Sequence, residues 1–117
     1  MGYHKANGEF ANVETVTLLP SAAHAAGAAV TGTAFELGDR AIARLKLDVT
    51  AISTGTSIDV TIETSRDNST WYTSGTFTQV TTTPGAEQKL FILDRFVRAK
   101  YTTVGTSYTF SVAGEAA

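Results

Sequence analysis

A chain of 117 residues is most simply one domain, long enough to bury a core of its own. It has no cysteine, which excludes disulfides, thiolate catalysis and thiolate metal sites. Its net charge of −2 argues against a broad basic surface for nucleic acid, and no stretch approaches the roughly 20 apolar residues of a membrane span.

Residues 1–12, MGYHKANGEFAN, show no clean periodicity. They read as an irregular N-terminal arm that orders against a partner, with Tyr3 and Phe10 as its contact residues. No apolar signal core follows Met1-Gly2-Tyr3-His4-Lys5, and Ala6 stands where myristoylation wants Ser or Thr. The chain is therefore expected to be made in the cytoplasm. A single folded domain is expected over 13–117.

Glu14 to Leu19 predicts a strand ending at Pro20, with Val16 and Leu18 on one side and Val13 and Thr15 on the other. Its facing is open. Residues 21–30, SAAHAAGAAV, are consistent with a short helix interrupted by Gly27 or with an extended loop. His24 sits there. A metal or catalytic role would need partners, and the only other histidine is His4. It reads as an incidental loop residue, or as part of a partner interface. Thr33 to Leu37 predicts a short strand with Phe35 and Leu37 inward, and Gly38-Asp39 a turn.

The clearest stretch runs from Arg44 to Trp71. Ala43, Leu45, Leu47, Val49 and Ala51 fall on one side, and Arg44, Lys46, Asp48 and Thr50 on the other. Ile58, Val60 and Ile62 then alternate with Asp59, Thr61 and Glu63. Period-2 alternation means strands with one buried and one wet face. With Gly55 between them, they read as a hairpin. Residues 65–70, SRDNST, are a run of turn formers. Trp71 and Tyr72 follow, either as a stacking platform for a sugar or base or as a core anchor. The anchor is the preferred reading.

Ser74-Gly75 turns into Thr76 to Val80, anchored by Phe77. Pro84-Gly85 fits the centre of a type II turn. Leu90-Phe91-Ile92-Leu93 is an apolar run, buried on both faces or covered on one by a neighbouring subunit. In Phe96 to Val104, Val97, Ala99 and Tyr101 alternate with Arg98, Lys100 and Thr102. Gly105-Thr106 reads as a hairpin turn. Tyr108, Phe110 and Val112 point inward from the last strand, and residues 114–117 read as a plain tail. About eight short strands with no long helix predict an all-β, antiparallel, jelly-roll-like β-sandwich.

The 20 threonines suit such a fold, because Thr is β-branched and polar without charge. A Thr-rich, cysteine-free β-protein fits secreted modules and virion structural proteins alike, and the expected lack of a signal peptide leans the reading to the second. No constellation for chemistry emerges. Asp48, Asp59 and Glu63 occupy outward positions, where a solvated face is the expected reading and a glycosidase pair needs a cleft. Asp67, Asn68 and Ser69 lack EF-hand spacing. No glycine pattern matches a phosphate loop. Catalytic, cofactor-binding and metal-binding residues are accordingly expected to be none, and the chain not to be an enzyme. Arg44, Lys46, Arg98 and Lys100 form a modest basic patch for an acidic partner if their strands share a face; a solvated face balanced by Asp48 and Glu63 is the preferred reading.

The ensemble of Phe35-Glu36-Leu37-Gly38, residues 43–50 (ARLKLDVT), residues 59–65 (DVTIETS), Thr70-Trp71, Gly75-Thr76-Phe77, residues 93–99 (LDRFVRA) and residues 109–115 (TFSVAGE) resembles small virion proteins of tailed bacteriophages, among them head decoration (cement) proteins. That resemblance implies a β-sandwich that oligomerises on a capsid or tail surface, with no catalytic residues to transfer. Residues 64–71 and 95–98 are also similar to discoidin-like carbohydrate-binding modules, with Asn68 for the usual Gly and Phe96 for the usual Tyr. This similarity supports a jelly-roll frame rather than a sugar site. The expected function is capsid decoration on the virion surface after synthesis in the host cytoplasm, with the major capsid protein as partner and a homo-oligomer, a trimer suiting three-fold sites. Tyr3, Phe10, His24, Leu90, Phe91 and Ile92 are the expected interface residues. No nucleic acid, membrane or cofactor is expected. The alternatives are a glycan-binding module, a tail tube or a head–tail connector.

Overall fold

The structure is a computed structural model, and it describes residues 14–24, 30–52, 56–83, 85–105 and 108–117. It contains nine strands: β1 (Glu14–Ala23), β2 (Val30–Thr31), β3 (Phe35–Glu36), β4 (Ile42–Ile52), β5 (Ser57–Ser65), β6 (Tyr72–Thr76), β7 (Gly85–Ile92), β8 (Phe96–Val104) and β9 (Tyr108–Ala116). All pairings are antiparallel. One sheet has the order β1-β9-β4-β7 and the other β2-β8-β5-β6, with β3 also on β8. Counting β2 and β3 as one interrupted strand, this is the eight-strand order of a jelly roll.

Alternation builds the core. Leu45, Leu47 and Val49 of β4 and Phe110 and Val112 of β9 point inward from one sheet. Ile58, Val60 and Ile62 of β5 and Val97, Ala99 and Tyr101 of β8 point inward from the other. Burial holds Tyr101 in its neutral form, raising its pKa, with nearby Tyr108 adding to the effect.

The connectivity differs from the sequence expectation in one repeated way. β4 and β5 are not a hairpin, because they lie in different sheets. The Gly105 turn likewise joins β8 of one sheet to β9 of the other. Among the described residues only β5 and β6 are consecutive strands that pair. Alternation fixes which face of a strand is buried and leaves its hydrogen-bonded neighbour open, so an arch between sheets and a hairpin leave the same pattern. Residues 53–55, 84 and 106–107 lie outside the described residues, and with them part of the Gly55 and Pro84-Gly85 turns.

Four local expectations are corrected. β1 continues through Pro20 to Ala23. It is an edge strand, where a missing ladder donor is tolerated. A register shift between Thr17 and Leu19 lets both Leu18 and Leu19 face the core. Of residues 21–30, expected as a short helix or an extended loop, 21–23 are strand and 25–29 lie outside the described residues. Of Thr76 to Val80, only Thr76 belongs to a strand, β6; Val80 forms an isolated bridge to Ile58. Residues 114–117 are no tail. Gly114 pairs with Val16 on one side and Leu45 on the other, Ala116 is buried, and Ala117 exchanges backbone bonds with Ile42.

The 65–70 turn is built around Asp67. Its Oδ1 accepts the backbone N–H of Ser69 (2.9 Å) and Thr70 (2.8 Å) and the hydroxyl of Ser65 (3.0 Å). Asn68 takes the left-handed conformation, φ 60°. The Thr70 and Ser69 amides, then the Ser65 hydroxyl, lower the Asp67 pKa. A depressed carboxylate pKa contributes stability above the unfolded value, near pH 4, that is lost as pH falls through the folded value. Asp67→Asn keeps an acceptor oxygen without the titration. Its urea midpoint should therefore fall less than the wild type's on acidification below about pH 4.

Candidate association surface

Among the described residues β7 is an edge strand that pairs only with β4. Phe91 and Leu93 turn into the core, whereas Leu90 and Ile92 turn out, 66% and 79% exposed. Ile42, 40% exposed, is the direct cross-strand neighbour of Ile92. The apolar run at 90–93 is thus half core and half surface. Of its three expected interface residues, Phe91 is corrected to core. It packs edge-on against Phe77 with ring centroids 5.4 Å apart. It also lies so close to β6 that a Cβ on Gly75 would come within 2.8 Å of its ring.

Side chains bridge the two sheets where β6 and β7 meet. The Ser74 hydroxyl donates to the Ile92 carbonyl (2.7 Å), and the Tyr72 hydroxyl donates to Asp94. The hydrogen bond to Asp94 raises the Tyr72 pKa and keeps it a donor. The Asp94 amide donates to Thr64 Oγ1 (2.7 Å), whose hydroxyl donates to the Phe96 carbonyl (2.8 Å). These groups border an open groove of about 440 Å³ lined by Tyr72, Ser74, Leu90, Ile92 and Asp94. Farther along β7, Lys89 Nζ donates to the Thr76 carbonyl (2.7 Å). The Glu87 carboxylate accepts the Thr78 amide (2.7 Å), and this bond lowers its pKa.

The opposite outer face carries a charged cluster. Arg98 Nε lies 2.8 Å from Glu63 Oε1, Lys100 Nζ lies 3.8 Å from Oε2, and the Arg98 guanidinium sits 4.1 Å over the Trp71 ring. Two expectations change here. Glu63 is buried rather than solvated, and Trp71 is half-buried outside the core. Arg44 and Lys46 lie on β4 and Arg98 and Lys100 on β8, in different sheets, so no common basic patch forms.

His24 is packed rather than incidental. Its ring lies 4.7 Å from that of Phe110, and Nε2 is 2.8 Å from the Pro20 carbonyl and 2.9 Å from that of Phe110. Tyr3 and Phe10 lie outside the described residues. Among the described residues no group of three or more His, Cys, Asp or Glu is placed to hold a metal. Sequence reasoning missed Ile42, yet its signal was there: it shares the outward parity of Arg44 and Lys46. Comparison with protein-family models, with curated proteins and with solved structures found no match.

Proposed function

We propose that this chain is a non-catalytic structural protein of a virion, a decoration protein that binds the head surface of a tailed phage. The observation that carries the reading is the exposed strip of Ile42, Leu90 and Ile92, rimmed by Arg44, on the outer face of the sandwich. Clustered apolar side chains with a polar rim are what a contact surface needs. The resemblance to small virion proteins and the jelly-roll strand order, common in capsid proteins and lectins, support it further. The mechanism is mechanical. The sandwich sits across joints of the major capsid protein, and contacts with several subunits add by avidity.

Cosedimentation with intact tailed-phage heads tests this reading. Wild-type protein should pellet with heads. Leu90→Lys/Ile92→Lys should not, while its unfolding midpoint changes little, because both side chains are exposed. Wild-type protein that stays in the supernatant contradicts the reading. The exposed Tyr72 beside the groove favours a glycan-binding module as the second reading. A glycan panel read by tryptophan fluorescence and by Tyr72→Ala decides that one.

A further inference from the structure

We infer that β7 pairs antiparallel with β7 of a second copy, about a two-fold axis at Gln88. This deepens the association reading above by naming the partner and the register. The Ile42 amide and carbonyl bond to Ala117, and the Leu93 amide bonds to the Ala41 carbonyl. Backbone groups alternate in direction along a strand. The amides and carbonyls of Phe91, Lys89 and Glu87 therefore point to β4, and those of Ala86, Gln88, Leu90 and Ile92 point to the free edge. No strand among the described residues pairs with that edge, and a long strand with such an edge and outward Leu and Ile is a template for another strand.

Charge chooses the register. Glu87 and Lys89 stand opposite Leu47 and Leu45 and so share one face of β7. An axis at Glu87 opposes two glutamates, and an axis at Lys89 opposes two lysines. An axis at Leu90 sets Lys89 opposite Phe91 and Glu87 opposite Leu93 of the second copy, so no opposite charges meet. An axis at Gln88 places Glu87 opposite the partner's Lys89 twice, and it runs the ladder over Ala86, Gln88 and Leu90, clear of Ile92. The Lys89 ammonium has two further donors beyond the one given to Thr76, and each Glu87 oxygen has a second lone pair. The interface is self-complementary and closes at two copies. This departs from the trimer that three-fold capsid sites suggest.

The absence of native cysteine makes the register directly readable. Gln88→Cys copies should be joined by a short bis-maleimide into a covalent dimer. Leu90→Cys copies should not, because that register leaves them four residues, about 14 Å, apart along the strand. Single variants Glu87→Lys and Lys89→Glu should each weaken self-association at least about tenfold, since like charges then face each other. Mixing the two should restore a dimer, each chain supplying one sign. Circular dichroism melting of each variant separates lost pairing from lost folding. If Glu87→Lys does not fold, the crosslinking pair stands as the test. A wild type that runs as a single chain at all concentrations overturns the proposal, as does crosslinking at Leu90 but not at Gln88. Head binding by a monomer would remove this pairing and keep the virion reading. A dimer that ignores heads would do the reverse.

Discussion

Replacing Gly114 by alanine should destabilise the fold by about 3 kcal/mol or more, at the upper end of overpacking costs. Gly114 lies on β9, between β1 and β4. A Cβ there would stand 1.8 Å from the Arg44 carbonyl oxygen and 3.0 Å from the Leu45 Cα. Both are backbone atoms of a strand held on both sides, so no rotamer change relieves the contact. β4 and β9 must part, and with them the ladder that joins the middle of the sheet. Urea denaturation measures the loss. A midpoint within error of wild type would mean that β9 does not run at this depth beside β4.

The second large effect is expected on the other outer face. Glu63→Ala should cost about 2–3 kcal/mol, below the usual range for breaking a fully buried pair because Arg98 keeps some access to water. The side chains of Glu63 and Arg98 are 10% and 23% exposed, and Arg98 is fixed between the carboxylate and the Trp71 ring. Removing Glu63 leaves the guanidinium half enclosed without its anion. Glu63→Gln keeps the volume and one acceptor and should cost clearly less. Trp71 emission reports the same event, since release of Arg98 uncovers the indole. Equal stability of all three proteins would show that the cluster contributes nothing.

The strands themselves were legible in the sequence wherever one face is wet. In β5, β8 and β9, and in β4 as far as Val49, the inward residues are those that alternation names, because a sandwich buries every second side chain. Ala51, expected inward, is exposed, because the ladder to β9 shifts register between Val49 and Ala51. The partners of those strands were not legible. Nothing in Ile58, Val60 and Ile62 distinguishes a strand folded back on β4 from one carried across to the facing sheet. The outward parity of Glu63 was read correctly and its burial was not, since its partners Arg98 and Lys100 come from β8, about 35 residues later, with the Trp71 ring against Arg98. Gly114 looked like the start of a tail because the constraint on it is the backbone of β4, about 70 residues earlier in the chain.

The same reasoning applies to the association surface. Leu90 and Ile92 stood out as part of an apolar run, but the run alone did not say which residues were core. Placing β7 at an edge resolves it: Phe91 and Leu93 close the core beside Phe77, and the other two face outward. The outward pair then meets Ile42, whose neighbours on that face are charged.

The central claim is that β7 is where this protein meets its partners, a second copy along its edge. The most direct measurement is the mass in solution by light scattering, over a range of concentrations, for wild type beside Glu87→Lys. The account predicts that the wild type reaches at least twice the 12.3 kDa chain mass while the variant stays at one chain with its fold intact. Two proteins of equal mass, both single chains, would contradict it.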